Sequence, residues 1–316
     1  MQRAEALHRR QALFGGACLC CLPPLARQAS ASPEPTTHLT EVAPGIHIRQ
    51  GVTQDVTRGN NDAIANVGCV IGREAVAVID PGGSLEDGES LRVAIRQLTR
   101  LPIRYVVMSH VHPDHVFGAG AFQVEHPVFV GHTRLPGALA LRGSYYRDML
   151  DRILGMDPGP VVAPTQLVRD HTEIDLGNRI LTITAHPPAH TDCDLSIVDR
   201  QTGILLAADL LFVHRVPSLD GDLKGWLGEL AALQVIGSRH AVPGHGPVLV
   251  DWPGAAADIV RYLTVLLRET RQAVARNMPI AEAAHSVAQS ERGKWQLFDN
   301  YNPRNVIVAY QQLEWE

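Results

Sequence analysis

From about residue 45 onward, apolar runs of strand length alternate with stretches of helical period. "GIHIRQ" (Gly45–Gln50) alternates as a half-buried strand does. "IANVGCVIG" (Ile64–Gly72) and "EAVAVID" (Glu74–Asp80) read as two more strands, joined by a tight Gly72-Arg73 turn. The polar, glycine-bearing "GVTQDVTRGNNDA" between them and the first strand predicts a loop or mobile hairpin. Leu91, Ala94, Ile95 and Leu98 recur at the spacing of one helix face. "IRYVVMSH" (Ile103–His110) is almost wholly apolar, so it predicts a strand covered on both faces.

The rhythm then repeats. "PVFVGH" is a strand, Leu135–Leu154 mostly helix, and "PGPVVAPTQ" a loop. A hairpin turns at "LGNR" into "ILTITA" (Ile180–Ala185), and "LSIVD" with "GILLAAD" forms another that ends at Asp209. "WLGELAALQVI" is helical, "RHAVPGHG" a short strand plus loop, and "AADIVRYLTVLLRETRQAVARN" a long amphipathic helix. Strand blocks alternating with helices predict an α/β fold of layered sheets with helices outside. No internal linker or repeat interrupts it, so residues 45–316 read as one domain, preceded by a flexible linker over 32–44.

The N-terminus reads as a cleaved export signal over residues 1–31. Arg9 and Arg10 precede the mostly apolar stretch Ala12–Leu25, and "ASA" (Ala29–Ala31) offers small residues for cleavage. "RRQALFGG" resembles a twin-arginine signal, the alternative being an ordinary secretory one. The expected location is therefore periplasmic. Cleavage would remove four arginines and one glutamate and take the formal charge from −5 to −8. An acidic mature domain argues against nucleic acid and anionic membrane as partners. Only Cys69 and Cys193 would remain, too few for a disulfide framework. Beyond the N-terminus no apolar run approaches the roughly 20 residues needed to span a bilayer.

Fifteen histidines is a high count for 316 residues, and their placement matters more than their number. "SHVHPDHVFG" (Ser109–Gly118) gathers His110, His112, Asp114 and His115 where an apolar strand ends. On an extended segment His110 and His112 leave the same side and can reach one ion. Asp114 and His115 lie beyond, where the chain must turn, and can face a second point. Zn²⁺ favours imidazole nitrogen and carboxylate oxygen. His190 follows the strand Ile180–Ala185 in "PPAHTDCD", Asp209 closes "GILLAAD", and His245 sits in "VPGHGPV". A carboxylate at the end of a buried strand costs several kcal/mol unless it is partnered. All of these sit at strand ends, which gathers them at one edge of the sheets.

HxHxDH, AHT, a strand-terminal aspartate and PGHG, in that order, resemble the metallo-β-lactamase-fold hydrolases over about Gly45 to His245. The resemblance implies a four-layer αβ/βα sandwich with the metals at one edge of two facing sheets. It also implies that His110, His112 and His190 hold one metal, that Asp114, His115 and His245 hold a second, and that Asp209 bridges them. Asp80, closing "AVAVID", is expected behind a ligand histidine, fixing its tautomer. "RQGVTQDVTRGNNDAIANVG", "LPIRYVVMSHVHPDHVFG", "DGDLKGWLGEL" and "FDNYNPRNVIVAYQQLE" look like an exported subgroup. Its members are known as quinoprotein relay system zinc metallohydrolases, encoded beside quinoprotein dehydrogenases or sulfur-oxidation systems. Proteins of such a system are the partners the resemblance suggests, together with a small-molecule substrate.

The chemistry implied is hydrolysis. Two zinc ions, with iron or manganese as alternatives, share a water and lower its pKa, and the hydroxide attacks a carbonyl or phosphoryl centre. Asp114 is the candidate to orient that water and move its proton. In the family the chain resembles, thioesterases, lactonases and phosphodiesterases carry an aspartate where Asp209 stands, and dedicated β-lactamases generally do not. The resemblance therefore implies ester, thioester or lactone substrates over dedicated β-lactam hydrolysis. A mononuclear-iron sulfur dioxygenase, a β-lactamase-type hydrolase and a non-catalytic metal-binding partner of a periplasmic oxidation system are the alternative readings. His132, His186 and His240 are expected bystanders, and Cys193 a small packing residue. "YNPRN" offers Tyr301 and Arg304 as anion contacts in what reads as a solvated loop.

Overall fold

The computed structural model describes residues 37–316; the expected export signal, residues 1–31, lies outside the described residues. Seven strands make the first sheet, in spatial order of sequence: β1 (Thr40–Ala43), β2 (Ile46–Arg49), β3 (Val67–Ile71), β4 (Val76–Ile79), β5 (Ile103–Met108), β6 (Val128–His132) and β7 (Gln166–Val168). It is antiparallel from β1 to β4 and parallel from β4 to β7. The second holds β8 (His171–Asp175), β9 (Ile180–Ala185), β10 (Leu195–Asp199), β11 (Leu205–Phe212), β12 (His240–His245) and β13 (Val250–Asp251), ordered 13-12-11-10-9-8.

Period-two alternation builds the layers. In β5, Val107 faces the second sheet, while Val106 and Met108 face the helices behind the first. In β11, Leu206 points between the sheets and Leu205 and Ala207 point outward. Between the sheets, Ile46, Ile48, Val70, Ala77 and Ile79 meet Leu181, Ile183, Leu195, Ile197 and Val242. Each valine, leucine or isoleucine there contributes about 1.5–3 kcal/mol by leaving water. The first sheet's outer face is covered by α1 (Leu85–Leu98) and α3 (Leu135–Leu154). Between them runs the one-turn α2 (Pro113–Val116), continued by a 3₁₀ segment. The second is covered by α4 (Leu223–Gln234), α5 (Ala256–Ala275), α6 (Ile280–Ser286) and α7 (Phe298–Leu313). The result is the expected four-layer sandwich.

Three boundaries differ from the sequence reading. β11, expected to end at Asp209, runs on to Phe212 and carries Asp209 within it. Residues 40–43, expected within the flexible linker, form β1 and pair antiparallel with β2. Val42 and Ala43 pack against the inter-sheet core, a footing too short to register as a pattern. "YNPRN" lies inside α7 rather than in a loop. Its asparagines are buried and paired: Asn302 accepts from the Tyr262 hydroxyl at 2.9 Å, and Asn305 donates to Pro217 O at 2.7 Å. Polar residues that face a core with partners hide a helix from any hydrophobicity pattern.

Candidate metal centre

All seven predicted ligand residues converge at one end of the sandwich. The strands β5, β11 and β12 finish there, and the loop between β9 and β10 supplies His190. His112 is still extended, with φ −67° and ψ 146°, and Pro113 opens α2 with its ring-fixed φ. That one turn swings Asp114 and His115 away from His110 and His112. The segment after that turn packs closely on the loop after β4 because residue 118 is glycine: a Cβ there would lie 2.1 Å from Pro81 O. Asp209 is aimed by an irregular step in β11, where Ala208 takes φ 46°, a left-handed backbone costing about 1–3 kcal/mol in a non-glycine residue. Gly244 leaves room for it, since a Cβ there would lie 1.9 Å from Asp209 Oδ1.

Two groups form. His110, His112, His190 and Asp209 present one set of ligand atoms, and Asp114, His115 and His245 another. His112 Nδ1 lies 3.1 Å from His110 Nε2 and 3.0 Å from His190 Nε2. In the second group Asp114 Oδ2 is 3.3 Å from His245 Nε2 and 3.6 Å from His115 Nε2. Asp209 reaches both: Oδ2 lies 3.3 Å from His190 Nε2 and 3.5 Å from His245 Nε2, and Oδ1 3.1 Å from His115 Nε2.

The outer nitrogens decide what the inner ones can do. His110 Nδ1 meets Ser109 Oγ at 2.9 Å, and that hydroxyl donates to Asp80 at 2.8 Å. His115 Nδ1 is 2.7 Å from Asp80 Oδ2. His190 Nδ1 is 2.7 Å from Ser218 O, His245 Nδ1 is 2.9 Å from Ile64 O, and His112 Nε2 is 3.2 Å from Asp220 Oδ2. Each outer nitrogen has an acceptor within reach, and His245 Nδ1 also has Arg215 Nη1 at 3.0 Å, so a neutral imidazole with its hydrogen turned outward leaves a lone pair on the inner nitrogen. Lone pairs pointed at one another at about 3 Å repel, and no hydrogen bond relieves them. The buried His115 Nε2 and Asp209 Oδ1 likewise make no hydrogen bond of normal geometry. The spacing matches the edges of a coordination polyhedron. Nitrogens about 2.0–2.1 Å from a tetrahedral Zn²⁺ lie about 3.3 Å apart. The residues fit a pair of divalent cations.

Electrostatics agree. Burial alone would strip a proton from His115, but Asp209, Asp114 and Asp80 together outweigh it and raise its pKa well above the ordinary histidine value. His110, buried and beside His115, is pushed the other way. Burial would raise Asp209, yet His115 and His245 hold it well below the usual carboxylate range. Asp114 is lowered by the same two histidines against the same burial. The cluster demands positive charge, which protons or a metal can supply.

Side chains that sequence reasoning missed complete the surroundings. Asp220, which orients His112, is itself ion-paired with Arg142 of α3. The Asn66 amide donates to Pro243 O at 2.9 Å and accepts from Gly51 N at 2.9 Å, cradling the turn that carries His245. Ser109 stood inside the quoted motif and Asp220 inside "DGDLKGWLGEL", but nothing local marks their roles. The bystanders stay outside the cluster. His186 pairs with Glu229 and Ser196 at 2.7 Å each, His132 accepts from Arg134 N, and His240 faces Asp251. Cys69 and Cys193 are free and buried, and burial pushes the Cys69 thiol up to about 12.

A cleft of about 370 Å³ opens onto the cluster. His112, Asp114, Asp209 and His245 line it, together with the apolar side chains of Val56, Tyr145, Met149, Phe212 and Val308.

Solved structures with the same architecture include a metallo-beta-lactamase from Pontibacter korlensis, 20% identical, covering 72% of this chain and 98% of that one with a TM-score of 0.58. A stereoselective inverting sec-alkylsulfatase from Pseudomonas sp. is 18% identical, covering 87% of this chain and 50% of that one with a TM-score of 0.69. A linear primary-alkylsulfatase from Pseudomonas sp. (strain ATCC 19151) is 22% identical over 240 residues, 64% of this chain. The chain spans 44% of that relative's length. The sequence profile of the Metallo-beta-lactamase superfamily matches residues 61–255, which takes in every residue of both ligand groups. The chain belongs to the metallo-beta-lactamase superfamily.

Proposed function

We propose that the protein is a metal-dependent hydrolase acting on an ester, thioester or lactone through two divalent ions, with zinc the expected metal. The observation that carries this reading is the set of five imidazoles, each pinned at its outer nitrogen, with Asp209 within 3.6 Å of both groups. When bound, such a pair of ions lowers the pKa of a shared water and polarises the attacked oxygen. His110, His112 and His190 would hold one ion, Asp114, His115 and His245 the other, and Asp209 would lie between them. Asp114 lines the cleft, which supports a role for its carboxylate in orienting the attacking water and receiving its proton. No serine or cysteine nucleophile is required.

A sulfate ester is the second reading, favoured by the similarity to two alkylsulfatases. The test is metal analysis of purified protein followed by a panel of carboxylic esters, thioesters, lactones, β-lactams and alkyl sulfates. Two zinc ions per chain and chelator-sensitive ester turnover are expected. A single iron with oxygen consumption would replace the reading with an oxygenase, and a full site without turnover would leave a binding protein. We further propose that the chain is exported to the periplasm, where the partners suggested by the subgroup operate. Replacing Arg9 and Arg10 by lysine should strand the precursor in the cytoplasm; unchanged periplasmic yield would overturn the twin-arginine route.

A further inference from the structure

Asp62 lies in the loop between β2 and β3 and lines the cleft, yet only 2% of it is exposed. Its backbone is left-handed, φ 61°, directly after a second left-handed residue, Asn61 at φ 50°. Such a conformation costs about 1–3 kcal/mol in a residue other than glycine. The backbone groups of Asp62 are satisfied locally: its N–H donates to Asn60 Oδ1 at 3.1 Å, and its carbonyl accepts from Ile64 N at 2.8 Å. The side chain sits hard against Gly83, where a Cβ would lie 2.6 Å from Asp62 Cβ. Among the described residues its carboxyl has neither a hydrogen-bond donor nor an ion-pair partner, and the cleft lies beside it. Asp80 and Asp87, also buried, are both partnered. Asp80 accepts from Ser109 N and Oγ at 2.7 and 2.8 Å, while Asp87 is ion-paired with Arg49 and accepts from Gly83 N at 2.9 Å.

Four carboxyls line the cleft: Asp62, Asp114, Asp209 and Asp220. Asp114 and Asp209 belong to the ligand groups, and Asp220 is ion-paired with Arg142. Asp62 alone of the four has no task. A buried carboxyl without donors is far less costly neutral than charged. Burial accordingly raises its pKa well above the usual carboxylate value, with Asp114 and Asp87 adding to the rise and Arg215 and His115 opposing it. Ester hydrolysis leaves one proton still to be delivered, because the departing alkoxide is a poor leaving group until it is protonated. We propose that Asp62 is a catalytic acid, whose carboxyl passes its proton to the departing oxygen as the carbon–oxygen bond of the ester breaks. The attacking water bonds to the acyl carbon and gives a proton to Asp114. The leaving oxygen keeps the electron pair of the broken bond and takes the proton of Asp62. The proton on Asp114 then returns through solvent to Asp62, and the protein is unchanged. The inference rests on the hydrolase reading and deepens it toward alkyl esters, whose leaving groups need that proton.

The experiment compares phenethyl acetate with 4-nitrophenyl acetate on zinc-loaded protein, because 4-nitrophenolate leaves without a proton and an alkoxide does not. Asp62→Asn keeps the shape, and asparagine tolerates the left-handed backbone. It should lower kcat/KM for the alkyl ester about 100-fold and for the nitrophenyl ester by less than about threefold. Asp62→Gly, which suits that backbone better still, should show the same split, and Asp62→Glu should restore part of the alkyl rate. Equal losses on both esters, or no loss on either, overturn the proposal and leave the hydrolase reading intact. Loss of zinc in Asp62→Asn would make the residue a ligand instead and also overturns it. Infrared difference spectra of zinc-loaded wild type against Asp62→Asn at neutral pH give a readout free of turnover. A protonated carboxyl band is expected in the wild type, and its absence overturns the proposal even where esters are cut. A band present while the wild type cuts neither ester overturns the hydrolase reading, and the acid's role with it.

Discussion

The two ends of the sandwich bury charge in opposite ways. At the end away from the cleft, Arg179 and Asp199 are almost wholly buried and form a two-point ion pair at 2.9 and 3.0 Å. The remaining guanidinium N–H groups reach Pro44 O and Ile71 O, which ties the second sheet to the first. Asp199 also accepts from Thr202 N and Oγ. Donors meet acceptors, and every atom is answered within the chain. At the cleft end, imidazole lone pairs meet one another at 3.0–3.1 Å and face carboxylates at 3.1–3.6 Å. Both arrangements are buried. Only the second is incomplete in a way that a cation completes, and that distinguishes a ligand site from a structural ion pair.

The sharpest way to break the comparison is to remove one partner at each end. Arg179→Met leaves Asp199 buried without its cation and should cost about 3–5 kcal/mol of unfolding free energy, with metal content per folded chain unchanged. Denaturant titration with metal analysis checks both halves. A large loss of metal without loss of stability would erase the distinction. Asp209→Ala should do the reverse. About one metal per chain should remain, with turnover down two orders of magnitude or more, a barrier increase of about 3 kcal/mol. Asp209→Cys should be milder, because a thiolate still ligates Zn²⁺. Two tightly held metals and near-normal rate in the alanine variant would rule out the bridging role.

Smaller effects sharpen it. Asp220→Asn keeps the shape but weakens the acceptor that orients His112, and should lower metal affinity about 10-fold, measured by competition with a chromophoric chelator. Acid stability gives a further handle. Burial would raise the Asp199 carboxyl, but Arg179 and Thr202 outweigh it and hold it below the usual carboxylate range. Its contribution is complete above the unfolded-state pKa of about 3.9 and disappears as pH falls through the lower folded value. The stability gap between wild type and Arg179→Met should therefore narrow in acid. A gap independent of pH from neutrality to about pH 2 would contradict that linkage.

Much of the cleft end was legible because its residues are rare and its spacing is rigid. A histidine pair two apart on an extended segment shares a side by geometry alone, and a proline after it announces the turn that sends Asp114 and His115 elsewhere. Asp80, which closes the strand "AVAVID", was placed behind a histidine by the family resemblance and not by any pattern within the histidine motif. Asp220, Asn66 and Arg215 could not be placed, since each acts across a sequence distance that no local pattern spans: 108 residues from Asp220 to His112, 177 from Asn66 to Pro243, 86 from Arg215 to Tyr301. The Arg179–Asp199 pair was invisible for the same reason, although only 20 residues separate its members. A charged residue beside a strand reads as solvent-facing until a second sheet covers it.

By itself the sequence determined the alternation of strands and helices, the layers that alternation implies, and the seven side chains that converge, because periodicity and ligand chemistry are written residue by residue. The tertiary structure decided which nitrogen of each histidine faces inward, since the acceptors that hold the outer nitrogens come from other parts of the chain. It also decided that "YNPRN" is a helix. The asparagines of that stretch are satisfied by Tyr262 and Pro217, so burying them costs little, and Tyr301 and Arg304 come to stand over the cleft beside Arg215.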